Sequence, residues 1–180
     1  MNLLFGFVPF LLFALLSRLS ADLALWLAFA ASFVVTVRDF VESPSLRLLD
    51  GASFILFGLL ALGRGFVMPE LSLSAVRTIV EAGLCLAIFA SLLRRRPFSL
   101  EYASQDSKAG HWPLPVFLRV NWLISLVWGL SFAAMMLADA AVTFLPVPFY
   151  VAIAMSVVAL ASAITFTLRY PALAAGRLAR

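Results

Sequence analysis

Arg64, Arg77 and Glu81 each sit inside or at the edge of a long apolar run, where an ionised side chain needs a physical reason to be. On insertion scales a charge at mid-bilayer costs roughly 2.5–3.5 kcal/mol. Two kinds of chemistry answer that cost: a proton- or ion-coupled site, or a pair that neutralises itself near a membrane interface. From Glu81 to Arg94, at the end of its run, is about 20 Å of helix, and from Asp50 to Arg64 about 21 Å. Adjacent antiparallel spans would therefore bring Arg64 and Glu81 to one level, with Arg77, one turn from Glu81, as a competing partner. The neutralising pair asks less of the chain, with Arg64 snorkelling outward.

A second polar set follows helical spacing. Asn121, Ser125, Trp128, Phe132, Met135 and Asp139 recur in alternating steps of four and three and so share one stripe. Asn121 and Ser125 can hydrogen-bond to another helix, a contact worth about 0.6–2 kcal/mol in membranes. With Arg119 they complete a candidate intramembrane polar site of Arg64, Arg77, Glu81, Arg119, Asn121 and Ser125. Arg94, Arg95 and Arg96 form a separate candidate, for anionic lipid headgroups, at about 1 kcal/mol per cation; the same cluster also serves as a stop-transfer signal. In the polar segment that follows, Phe98, Leu100, Tyr102 and Trp112 are expected at headgroup level. Ala152, Ser156, Ala159 and Ala163, continued by Thr167, make a small-residue stripe that lets two helix backbones approach closely.

Soluble-enzyme signatures are missing from the sequence. It has no Gly-rich phosphate loop, no HExxH and no Cys/His metal spacing. The lone His111, beside Trp112 and Pro113, reads as an interfacial ring. The lone Cys85 rules out an intramolecular disulfide. No catalytic residue, cofactor or metal site is expected.

These residues need elements to hold them, and composition says which. Of 180 residues, 64% are hydrophobic and 12% charged, with a mean hydropathy of +1.07. Such a chain cannot clothe a water-facing surface, so its solvent is lipid. The reading is all-α: a polytopic membrane protein, one helical domain over 1–180. Six spans are expected, at 2–17, 21–37, 51–67, 74–93, 117–138 and 147–168, arranged as three hairpins. The first, which contains Pro9, is read as a retained span rather than a signal peptide, because no Lys or Arg precedes its apolar run. The first two hairpins share a faint echo, LLFALLSR at 11–18 against LFGLLALGR at 56–64.

Cations set the orientation. One side receives Arg38, Arg47, Arg94, Arg95, Arg96, Lys108, Arg119, Arg169, Arg177 and Arg180, while the other receives Arg18, Arg64 and Arg77. Cytoplasmic loops carry the Lys/Arg excess, so both termini are expected in the cytoplasm. A five-span chain is expected to leave the tail's three Arg outside. The net charge of +4 follows this membrane pattern, and no nucleic acid is expected as a partner.

Three segments resemble the bacterial intracellular septation protein family. They are FGFVPFLLFALLSRLSADLALWLAFAASFVV near the N-terminus, the basic-plus-proline turn at Arg96–Pro97, and LPVFLRVNWLISLVWGLSFAAMMLAD at the fifth span. Within the last, Arg119-x-Asn121 with Trp128 and Phe132 is the most specific part. PFSLEYA at 97–103 departs from that pattern and points to a sister group. The resemblance implies the bacterial inner membrane and a process, envelope integrity or septation, but no reaction. A non-enzymatic protein acting through helix contacts with membrane proteins, lipid headgroups or a second copy is the expectation. A small oligomeric transporter or channel using Arg64, Glu81 and Asn121 is the alternative; flux across a reconstituted bilayer separates the two.

Overall fold

The structure, a computed structural model, describes residues 6–17, 19–42, 47–103 and 113–178. Arg18, Lys108, His111, Trp112 and Arg180 lie outside the described residues, and with them the expectations for an interfacial His111 and Trp112. Among the described residues every regular element is helical: α1 (Val8–Leu16), α2 (Ala21–Glu42), α3 (Leu48–Leu62), α4 (Leu73–Leu93), α5 (Ser99–Ala103), α6 (Leu114–Phe144) and α7 (Phe149–Leu178), with a π-helical turn, Gly63–Val67, extending α3. Their Leu and Ala content favours helix, and in lipid every backbone group must be bonded within the segment.

Five of these are long and apolar enough to cross a membrane: Ala21–Val41, Leu48–Val67, Leu73–Leu93, Leu114–Phe144 and Phe149–Ala174. Helix α1 has nine residues, about 14 Å against a hydrocarbon core of about 30 Å. Pro9 sits in its first turn, where a missing N–H costs nothing. Among the described residues, five helices are therefore of spanning length.

Several helices run past the apolar stretches that announce them. α2 continues to Glu42 and α6 covers 31 residues, because hydropathy marks where lipid contact ends, not where i→i−4 bonding ends. Hydroxyls inside the helices serve themselves: Ser32 donates to the Phe29 carbonyl at 2.8 Å, Ser156 to Ala152 at 2.8 Å and Thr143 to Asp139 at 2.9 Å. That local bond is how a helix carries a hydroxyl in an apolar setting.

Chain packing divides within α4 into two units, Met1–Ala87 and Ile88–Arg180. In the first, α2 packs closely against both α1 and α3. Phe57 of α3 is fully buried and its ring lies 5.0 Å from Phe10 and 5.6 Å from Phe13, both of α1. Gly58 lets α3 come close to α2, since a Cβ there would stand 3.0 Å from the Phe29 ring. The expected hairpin of the third and fourth spans is looser than the α2–α3 pair; α3 meets the first part of α4 through Leu56, whose methyl would stand 2.9 Å from a Cβ on Gly83. In the second unit α6 and α7 pack closely against one another.

The end of α4 is a Schellman motif. Arg95 N–H donates to the Leu92 carbonyl and Arg96 N–H to Ser91, each at 3.0 Å, and Arg95 adopts φ 55°. Its three arginines therefore close a helix where the last carbonyls favour positive charge. Pro97 follows and cannot continue the helix. All three guanidinium-bearing residues are exposed.

Candidate functional site

The polar stripe of α6 is its buried face: Asn121, Ser125, Trp128, Phe132, Met135 and Asp139 are all buried. What Asn121 and Ser125 bind is α5. Ser91 accepts a hydrogen bond from the Phe98 N–H at 3.2 Å, which turns the chain back immediately after α4. Ser99 then opens α5 and donates its hydroxyl to the Asn121 carbonyl at 2.8 Å and to Asn121 Oδ1 at 3.0 Å. Ser125 Oγ donates to Ser99 Oγ at 3.1 Å, and Asn121 Nδ2 to the Phe117 carbonyl at 2.9 Å. Three side chains are thus satisfied by one another and by backbone, as buried polar groups require.

This arrangement corrects the expectation for 97–103. Phe98 is fully buried and Tyr102 is 3% exposed, their rings edge-on at 6.5 Å, so neither lies among headgroups. Residues 97–103 are thus a folded element packed on α6. Arg119 is exposed and does not join Asn121 and Ser125, because two residues along a helix turn the side chain away by more than half a turn.

Further along α6, Trp128 Nε1 donates to Thr167 Oγ1 at 3.0 Å, and Thr167 donates onward to the Ala163 carbonyl at 2.8 Å. The small residues of α7 lie on the side that α6 approaches: Ala152 and Ala163 are fully buried and Ala159 nearly so, with Ser156 half-buried. Removing bulk there is what lets the two backbones come close.

In the first unit Arg64 does not meet Glu81. It extends from the π-helical turn, where Gly63 and Gly65 place no side chain in the widened coil, and its Nε donates to Asp22 Oδ1 at 2.5 Å. Its Nη1 donates to the Leu71 carbonyl. Asp22 opens α2, the helix that packs closely on α3, so it and not Glu81 reaches Arg64. Arg77 and Glu81, one turn apart on α4, are 7% and 4% exposed. A further ion pair, Arg47 with Asp39, joins the facing ends of α2 and α3, and Thr36 Oγ1 donates to the Asp50 carbonyl there at 3.3 Å.

Ser99, Asp22 and Asp39 were not singled out from the sequence. For Asp22 a signal existed, an acid in the first turn of a span adjacent to that of Arg64. Ser99 offered none, since a serine in a polar segment reads as solvated. Among the described residues no group of three or more His, Cys, Asp or Glu side chains is placed to hold a metal ion. Ser99 with Asn121 and Ser125, Trp128 with Thr167, and Arg64 with Asp22 each join one element to another. No protein-family model, curated protein or solved structure matches this chain.

Proposed function

We propose that this chain is a non-enzymatic multi-pass protein of the bacterial inner membrane that supports envelope integrity or septation through contacts with membrane partners. One observation carries the reading. Polar side chains on buried faces tie its own helices together in Ser99–Asn121–Ser125 and Trp128–Thr167. The faces left outward are apolar, with Leu86, Leu130 and Leu137 each more than half exposed, and suit lipid or another helix. The process itself rests on the resemblance of the N-terminal and α6 segments to septation proteins.

Orientation belongs to the same proposal. Both termini in the cytoplasm requires α1, with the residues before it, to cross as a sixth span. The C-terminus does not depend on α1. Dropping the first span leaves the loops after α2 and after α4 and the C-terminal tail on one side, still with the cation excess. Only the N-terminus changes side, so the expectation that any five-span chain expels the tail does not hold when the missing span is the first.

Arg77 and Glu81, buried on α4, favour the transporter reading as the alternative. Affinity capture from gently solubilised membranes, paired with ion-flux assays in proteoliposomes, separates the two. Stoichiometric membrane-protein partners with no flux support the proposal. Flux abolished by Glu81→Gln, with no partner retained, overturns it.

A further inference from the structure

The outward side of α7 carries an open trough of about 470 Å³, lined by residues of that helix alone. Ala161, Ser162 and Thr165 line one stretch of it, and beside them the Phe166 and Tyr170 rings stack at 4.6 Å and 13°. Ser162 Oγ donates to the Val158 carbonyl at 2.7 Å, so its hydroxyl is already served and asks for no polar ligand. Arg169 stands exposed further along, one turn before Leu173, which is also part of the lining. A lining that is mostly apolar over 161–166, with one exposed cation before Leu173 closes it, matches an amphiphile with an anionic head.

Axial position narrows the occupant. About 20 residues cross the hydrocarbon, so a span starting at Phe149 brings Arg169 to the far headgroup level. Ala161 then lies about 12 Å deeper, within the single leaflet of about 15 Å. Tyr170, beside Arg169, falls where amphipathic rings sit at the membrane–water boundary. The cation excess assigns that end to the cytoplasmic leaflet, the one rich in anionic lipid. A second copy of the chain fits less well. Two α7 helices in one membrane run parallel, and a two-fold pair through this face sets Arg169 against its own equivalent.

We propose that this trough is a binding site for one anionic phospholipid, its acyl chain over Ala161, Ser162 and Thr165 and its phosphate at Arg169. The inference rests on α7 crossing the membrane, as in the functional reading above, but not on any envelope role. It is distinct from the surface attraction expected of Arg94–Arg96, because it includes a place for the chain as well as for the head.

The test is native mass spectrometry of the full chain in mild detergent, titrated with phosphatidylglycerol or phosphatidylcholine. Wild type should retain phosphatidylglycerol preferentially, and millimolar inorganic phosphate should not displace it. Arg169→Gln should weaken phosphatidylglycerol about fivefold, the factor one interfacial cation supplies, and weaken phosphatidylcholine less, because its choline already offsets the phosphate charge. Arg169→Lys should retain most of the preference. Ser162→Trp, on the lipid-facing side, should fill the trough and weaken both lipids with no change in thermal midpoint. Unchanged binding in Arg169→Gln and Ser162→Trp overturns the site, as does displacement by free phosphate. A dimer that Ser162→Trp dissociates also overturns it, by making the trough a helix–helix interface. Release of the chain from membranes by alkaline carbonate refutes the membrane reading itself and this site with it; retention in the pellet with no lipid preference refutes the site alone.

Discussion

Ser99 carries more of the second unit than its size implies, because its hydroxyl both donates to Asn121 and accepts from Ser125. Ser99→Ala removes the shared partner and leaves buried oxygen on both sides of the gap. A loss of about 1–2 kcal/mol is expected, within the range for leaving buried polar groups unsatisfied. Ser125→Ala should then cost less in the Ser99→Ala background than alone; simple additivity in detergent unfolding would show that the hydroxyls do not act together. Arg64 makes a different prediction. Its pair with Asp22 is partly exposed, at 17% and 62%, so coupling should be small, about 0.2–1 kcal/mol. A double-mutant cycle of Arg64→Gln with Asp22→Asn should report that coupling, and the cycle of Arg64→Gln with Glu81→Gln should report none. Should the second cycle couple more strongly than the first, the observed pairing is not the one present in the membrane.

Helices in this protein are shaped by how they end and by what they leave out. Arg95 holds a left-handed backbone that costs a side-chain-bearing residue about 1–2 kcal/mol, accepted because the two Schellman bonds satisfy the carbonyls of Ser91 and Leu92. Arg95→Gly should leave stability equal or higher despite the lost charge. Arg95→Val should lower the thermal midpoint, since a β-branched residue fits that backbone worst; equal midpoints for the two variants would refute the strain argument. On α7 the omission is bulk. Ala159, 8% exposed, lies on the side that α6 approaches, and Ala159→Leu should force the backbones apart at about 1–3 kcal/mol. No change in detergent stability would mean that this face looks toward lipid.

Across the whole molecule, the decisive quantity is the number of crossings. Reporter fusions after the C-terminus and within 140–146 should fall in opposite compartments whether or not α1 crosses. A fusion ahead of Val8 settles the count: cytoplasmic for six spans, periplasmic for five. A periplasmic C-terminal reporter would sink both versions, because it would place the cation-rich loops outside.

Much of this architecture follows from one-dimensional information. Continuous apolar runs specify helices, since backbone polar groups in lipid have no other partner, and the steps of four and three from Asn121 to Asp139 specify which face of α6 turns inward. The small residues of α7 mark its close approach for a similarly local reason, the absence of side-chain volume. Partner choice was not legible in the same way. Arg64 could be placed at a depth, but only the packing of α3 on α2 decides that Asp22, and not Glu81, lies at that depth beside it. Residues 97–103 read as a polar segment, and only the turn at Ser91 and the bonds from Ser99 to α6 make them a buried element. Depth and face are properties of a single helix and follow from its residue spacing. Which side chains finally touch depends on how helices pair, and that is set by shape and volume summed over many residues far apart in the chain.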